Sequence, residues 1–334
     1  MGRRLRRIGL AAMLAAAIAA TAGVHAEDHA SVETVIVPPW AFPGSPPAPA
    51  NAPLTDDVTL LHVPGSRMVF TRAQVTDLFS APDWFPDSHP PMPDVVARGR
   101  KPDVYACGYC HLPDGKGRPE NASLAGLPAG YIVAQVADFR SGARRSAWHG
   151  PHRPNELMRA TAQGATDDEV AAAAEYFSKM PMTRHVELIE ATRVPQTREV
   201  GWLYVATGGA GTEPLGLRII EMPLDHERHE LRDPTSLFRA YVPRGSVSRG
   251  RHVAQTGLDG PASACAACHG TDLRGVGLIP PLAGRSPTYI LRQLLAFRTG
   301  ARASVAGQPM LPVVAQLSVE DMVAVAAYAA SREP

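Results

Sequence analysis

The chain has 334 residues, with 33 Lys+Arg against 32 Asp+Glu, 45% hydrophobic residues and 19% charged ones. That balance excludes general disorder and a nucleic-acid footprint, and the length asks for about two domains. Aromatic residues are only 6%, thin for cores built from side chains alone, while 32 Pro and 29 Gly require much loop.

In chain order, Arg3, Arg4, Arg6 and Arg7 precede an apolar, Ala-rich stretch at 8–24 and the small-residue site Val24-His25-Ala26. Residues 1–26 therefore read as a secretory signal peptide. The alternative is a retained anchor, for which an apolar stretch of about 17 residues is short. Removing the four arginines takes the formal charge from +1 to −3. No later stretch approaches the ~18 uninterrupted apolar residues of a span, so the expected destination is the periplasm. Residues 27–84 form an N-terminal extension. Its Pro-rich run at 38–53 reads as a polyproline-like spacer or disordered tether, and residues 60–70 suit a short strand or two.

All four Cys fall in two copies of one pattern, Cys107-Gly-Tyr-Cys110-His111 and Cys265-Ala-Ala-Cys268-His269. Cys-x-x-Cys-His is the attachment motif of c-type haem. The two thiols form thioethers with the haem vinyl groups, and the adjacent His reaches the iron. Zinc would need a further Cys or His pair within about 12–20 residues, which follows neither copy. A disulfide framework would not normally consist of two Cys-x-x-Cys pairs, and a thioredoxin-like dithiol would lack its βαβ context. The expected cofactors are two covalently attached haem c groups.

An internal repeat points to the remaining iron ligands. An offset of 158 residues carries Cys107 onto Cys265, Leu124-Ala125-Gly126 onto Leu282-Ala283-Gly284, and Phe139-Arg140-Ser141-Gly142-Ala143-Arg144 onto Phe297-Arg298-Thr299-Gly300-Ala301-Arg302. Further on the offset becomes 152, placing Thr166 on Ser318, Tyr176 on Tyr328 and Met158 on Met310. The first copy thus holds six extra residues, expected within 148–154. Each half reads as motif, helix, loop bearing Met, helix, with capping-box starts at Thr166 and Ser318. Met158 and Met310 are the expected sixth ligands. Met180 and Met182 compete in the first half, but have no twin in the second.

On these residues each half resembles a class I cytochrome c domain, and the pair resembles the two-domain dihaem bacterial cytochromes c. The implied fold is mainly α: two tandem class I cytochrome c domains, at 85–181 and 246–334, with irregular, partly β connecting segments. In that family the Pro after the motif sets a backbone carbonyl against the proximal imidazole, and Pro281 matches it. The first half departs, with Ser123 in that place and Pro102 interrupting the helix expected before Cys107. Those departures and the longer Met loop lead us to expect the first haem at lower potential, passing electrons to the second.

In the connector, 182–245, Val200–Ala206 and Leu217–Met222 have strand composition around a Gly-rich turn, and we read them as bracing arms. Trp202 and Tyr204 are expected to pack there rather than carry electrons. His149 and His152 lie in the insertion, where exposed loop histidines are the ordinary reading and metal ligation or replacement of Met158 the sharper one. Arg140 and Arg298 suit haem propionates or else solvated helix ends. Only Lys101, Lys116 and Lys179 exist, so docking cannot rest on a lysine ring. The implied function is electron transfer between redox protein partners, a dehydrogenase or oxidase, through two His/Met haems, without catalytic residues. A dihaem enzyme of peroxidase or sulfur-compound dehydrogenase type, or a permanent cytochrome subunit of a dehydrogenase complex, is the alternative.

Overall fold

The computed structural model describes residues 36–44, 58–258, 260 and 263–334. The expected signal peptide and most of the Pro-rich run lie outside them. The start of that run is no tether: Pro39–Ala41 forms a 3-10 turn, and Ala41 and Phe42 are buried in the second core.

After this arm come the paired strands β1 (Leu60–Leu61) and β2 (Phe70–Thr71) and the short helix α1 (Arg72–Thr76), opened by a Thr71/Gln74 capping box. The first repeat consists of α2 (Asp94–Ala97), α3 (Cys107–His111), α4 (Ala129–Ser141), α5 (Arg153–Gly164) and α6 (Asp167–Ser178). Helix α2 is a single turn, and Pro102 is not the cause. Counted back from the second copy, its missing turns fall on Pro90, Pro91 and Pro93, which supply no amide donors and push the residues before them toward extended backbone. Helix α6 opens on the expected Thr166/Glu169 capping box.

The connector holds β3 (Val186–Ala191), β4 (Arg193–Pro195), β5 (Thr197–Val200), β6 (Leu203–Ala206), β7 (Thr212–Pro214), β8 (Ile220–Pro223), α7 (His226–Glu230) and β9 (Phe238–Pro243). Val200–Ala206 is a hairpin rather than one strand. Gly201, at φ 59°, turns β5 into β6, and only glycine takes that backbone without strain. Strand β9 buries Phe238, Ala240 and Val242 in alternation and is central: β3 pairs parallel to it with Val186 opposite Phe238, and β8 antiparallel.

The second repeat follows as α8 (Ser246–Thr256), α9 (Cys265–His269), α10 (Pro287–Arg298), α11 (Met310–Gln316) and α12 (Val319–Ser331). Helix α12, opened by the Ser318/Asp321 capping box, is buried over most of its length. It crosses α8 at Gly250, where an added Cβ would lie 1.9 Å from the Ala324 carbonyl oxygen. A smaller core of Val95, Val96, Ala173, Ala174 and Phe177 serves the first repeat.

Hydrogen bonds reproduce the repeat at both offsets. Arg140 donates to the Ala162 and Ala165 carbonyls, and Arg298 to those of Val314 and Leu317. The copies meet where the two Arg-bearing loops form an antiparallel bridge: Arg145 N–H donates to Ala301 O and Ala303 N–H to Ala143 O, both at 2.8 Å.

Candidate functional site

Each Cys-x-x-Cys-His forms one helical turn, α3 or α9, bringing both sulfurs and the imidazole to one side. The loops that follow supply matching acceptors. His111 Nδ1–H donates to the Ala122 carbonyl and His269 Nδ1–H to that of Pro280, both at 2.8 Å. A carbonyl can only accept, so the proton sits on Nδ1 and a lone pair remains on Nε2. Burial pushes His111 down to about 4 and also lowers His269, keeping both imidazoles neutral near pH 7. The acceptor is Pro280, not Pro281; Pro281 instead holds residue 280 in extended backbone. Ser123 costs the first loop nothing in this bond, because its hydroxyl ties the loop back to the Lys116 carbonyl. The two proximal bonds are equal in length, and that ground for a weaker first site is gone.

No disulfide joins any of the four cysteines, which leaves each pair available for thioether attachment. Burial raises Cys107 to about 12 and Cys265 to about 11, and Cys110 rises too. Raised in this way, the Cys107, Cys110 and Cys265 thiols are poor nucleophiles, and among the described residues no cluster of His, Cys, Asp or Glu completes a zinc site around either pair.

In the first repeat, Cys107, Cys110, His111 and Met158 line one apolar cavity. Met158 does not sit in a loop. Pro154 starts α5 near its first position, and Leu157, Met158, Thr161 and Ala162 then turn one face of that helix into the cavity. Met310 is likewise helical, the first residue of α11, and packs against the second core, as Cys265 and Leu282 also do. Met180 is buried in the first core and Met182 packs against it; neither lines the cavity. His152 is not solvent-facing. It lines the same cavity, its ring edge-on to Phe42 at 5.7 Å and Trp202 at 5.4 Å, with both ring nitrogens buried and unpartnered. His149 is not among the lining residues. The Tyr204 hydroxyl donates to Trp40 O at 3.0 Å, bracing the N-terminal arm.

Arg140 does not line the cavity, and neither it nor Arg298 is free, since their guanidinium groups clamp carbonyls at the C-terminal ends of the Met-bearing helices. The arginines four residues on were missed. Arg144 lines the cavity and donates to Gln135 (2.9 Å), Tyr289 (2.7 Å) and Gln293 (2.9 Å); Arg302 donates to Gln135 (2.7 Å) and Tyr131 (3.4 Å). Both are buried, and among the described residues neither has a carboxylate at ion-pair distance. The signal for them was present: Gln135/Gln293, Tyr131/Tyr289 and Arg144/Arg302 recur at the 158 offset.

The sequence model of the family described as cytochrome c matches residues 96–181 and again 247–332. This chain belongs to the cytochrome c family. It is a dihaem electron-transfer cytochrome with two covalently bound haem c groups. A thiosulfate dehydrogenase electron acceptor from Stutzerimonas stutzeri is 29% identical over 236 residues, covering 70% of this chain and 82% of that protein. Cytochrome c4 from Azotobacter vinelandii is 24% identical over 226 residues, covering 66% and 82%. Among solved structures, a thiosulfate dehydrogenase from Marichromatium purpuratum matches with 26% identity and a TM-score of 0.45, over 70% of this chain and 38% of that one. The residues here fit the haem: paired thiols, a neutral imidazole with a free lone pair, and an apolar cavity bordered by unneutralised guanidinium.

Proposed function

We propose that this chain is a periplasmic electron carrier whose two haems are each held by a cysteine pair and ligated by His and Met. Cys107 and Cys110 would hold the first haem with His111 and Met158 as axial ligands; Cys265, Cys268, His269 and Met310 would hold the second. When bound, haem supplies a one-electron Fe(III)/Fe(II) couple, and methionine ligation favours the ferrous state. The chain's own part is to orient the imidazoles through Ala122 and Pro280, to exclude water with the α4–α6 face, and to offer Arg144 to the propionates. The observation that carries this reading is that Met158, rather than Met180 or Met182, shares a cavity with His111. With both axial positions filled, no iron is left open to a substrate, which favours a carrier over an enzyme.

The electron donor we infer is a dehydrogenase acting on a reduced sulfur compound. The support is the similarity, across both repeats, to a protein named as a thiosulfate dehydrogenase electron acceptor. The test is a visible spectrum of the purified periplasmic protein with and without carbon monoxide. Wild type should show two haems per chain and bind no carbon monoxide. Met158→Ala and Met310→Ala should each open one iron and remove about half of the Met-to-ferric charge-transfer band. Retention of the full band in Met158→Ala, with loss in Met182→Ala, would overturn the first-site assignment. Reduction of the oxidised protein by thiosulfate with a thiosulfate dehydrogenase, and not by thiosulfate alone, checks the donor.

A further inference from the structure

The repeat is symmetric at its proximal histidines but not in what holds the loops behind them. Arg285 occupies a position whose counterpart in the first half is Leu127. It is 4% exposed, and each of its three nitrogens donates a hydrogen bond. Nε donates to Pro281 O at 2.9 Å, within its own repeat; Nη1 donates to Ser123 O and Nη2 to Ala125 O, both at 2.8 Å, in the other. Ser123 is the residue after Ala122, and Pro281 the residue after Pro280. One guanidinium therefore grips each loop one peptide beyond the carbonyl that receives the axial imidazole.

We propose that Arg285 is the positioning residue that couples the two haem sites, by locking both proximal loops to one another through a single buried cation. This rests on the reading that His111 and His269 are the proximal ligands.

The physical argument has two parts. The Nδ1–H···O=C bond sets the basicity and orientation of an axial histidine, and through it the potential of the iron. Anything that fixes that carbonyl fixes the bond, and Arg285 fixes both loops at once. Its donors form a rigid planar array that a lysine cannot reproduce. The second part is electrostatic. All three partners are neutral carbonyls, and no ion pair neutralises the group among the described residues. Burial lowers its pKa to about 10, which still leaves it charged at pH 7. In a low-dielectric interior that charge is felt by both irons, and each oxidation adds positive charge that it resists. The first loop depends on it more, since it takes two of the three bonds and lacks the proline that stiffens the second.

The test is Arg285→Lys, which keeps the charge and loses the fork, beside Arg285→Met, which loses both. Potentiometric titration and proton NMR of the axial-histidine Nδ1–H signals would be read on wild type and variants. In Arg285→Lys both Nδ1–H signals should exchange at least tenfold faster, and both potentials should shift, the first haem more. Arg285→Met should lower both potentials further, because loss of a cation favours the ferric state. If Arg285→Met fails to fold, the lysine variant alone decides. A change at one haem only, or at neither, in a variant that retains both His-ligated haems, overturns the coupling role. Wild-type protein lacking His-ligated haem would instead overturn the ligand assignment, a result visible before any variant is made.

Discussion

His185 shows how a single side chain in the connector ties stability to pH. It stands just before β3, 4% exposed, its ring edge-on to Phe238 at 6.0 Å. Burial, aided by the charges of Lys116 and Arg285, pushes it down to about 4. An unfolded histidine titrates near 6.5, so the unfolded chain takes up a proton that the folded one refuses. Its contribution is complete above pH 6.5, falls as the pH drops from there to 4, and is lost below. The shift amounts to about 3 kcal/mol at most. His185→Phe should flatten the acid limb of unfolding free energy against pH between those values, measured by denaturant titration. An unchanged limb would place the acid sensitivity elsewhere. The same scale explains the exchange of Arg140 for Arg144. Both were legible as arginines near a helix end, but which one is solvated, clamped or aimed into a cavity depends on neighbours brought in from other helices.

At the scale of elements, the crossing of α8 and α12 shows how an Ala-rich sequence builds a core. The axes approach closely because Gly250 has no side chain, and what faces it is the Ala324 main chain rather than a flexible tip. Gly250→Ala must push two helices apart, and overpacking of this kind costs roughly 1–3 kcal/mol. The expected outcome is a second repeat that unfolds at lower denaturant with the first unmoved, followed by haem-resolved absorbance. Capping boxes at Thr166 and Ser318 formed where the sequence placed them, because capping is decided within four residues. The truncation of α2 was assigned to the wrong proline. The local rule was right, but the helix it acts on is defined by the repeat register, which places Pro90, Pro91 and Pro93 inside it and Pro102 beyond it.

Across the whole molecule, the connector does more than brace. Arg232 lies over the Tyr109 ring, 3.4 Å from its centre, and donates to the Tyr109 carbonyl at 3.1 Å inside the first attachment turn. Arg118 lies nearby, paired with Glu120 at 3.2 Å, which leaves one unbalanced positive charge beside Cys110. The repeat places Val276 and Leu278 where the Arg118–Glu120 pair stands, and Arg232 belongs to the connector, which the repeat does not duplicate. Positive charge disfavours ferric iron. The structure removes the Ser123 ground for a lower first potential and supplies, in Arg232, one for a higher; α2 is still short and the Met segment still six residues longer, but neither places a charge beside the attachment turn. We expect two resolved one-electron steps, the first haem being the higher and receiving electrons from the second. Arg232→Gln should lower that step by something on the order of tens of millivolts and leave the other in place. A shift of the lower step instead would reverse the assignment.

What the sequence determined by itself was everything set by short spacing or by comparison of the chain with itself. Cys-x-x-Cys-His names its cofactor because thioether attachment and axial ligation need those atoms within one turn. The twin Met residues follow from register, and the register survives in the hydrogen bonds of Arg140 and Arg298. Tertiary structure decided what depends on burial between distant segments. Parallel pairing of β3 with β9 joins Val186 to Phe238, and no local pattern encodes such a partner. The His152 ring is covered by Phe42 from the N-terminal arm and Trp202 from the connector, neither of them near it in sequence. Arg285 has no arginine counterpart in the first half, where Leu127 stands, so comparison of the chain with itself does not single it out. It is buried between the two proximal loops because the second repeat folds against the first, whose Ser123 and Ala125 carbonyls join that of Pro281 from its own repeat in place of water.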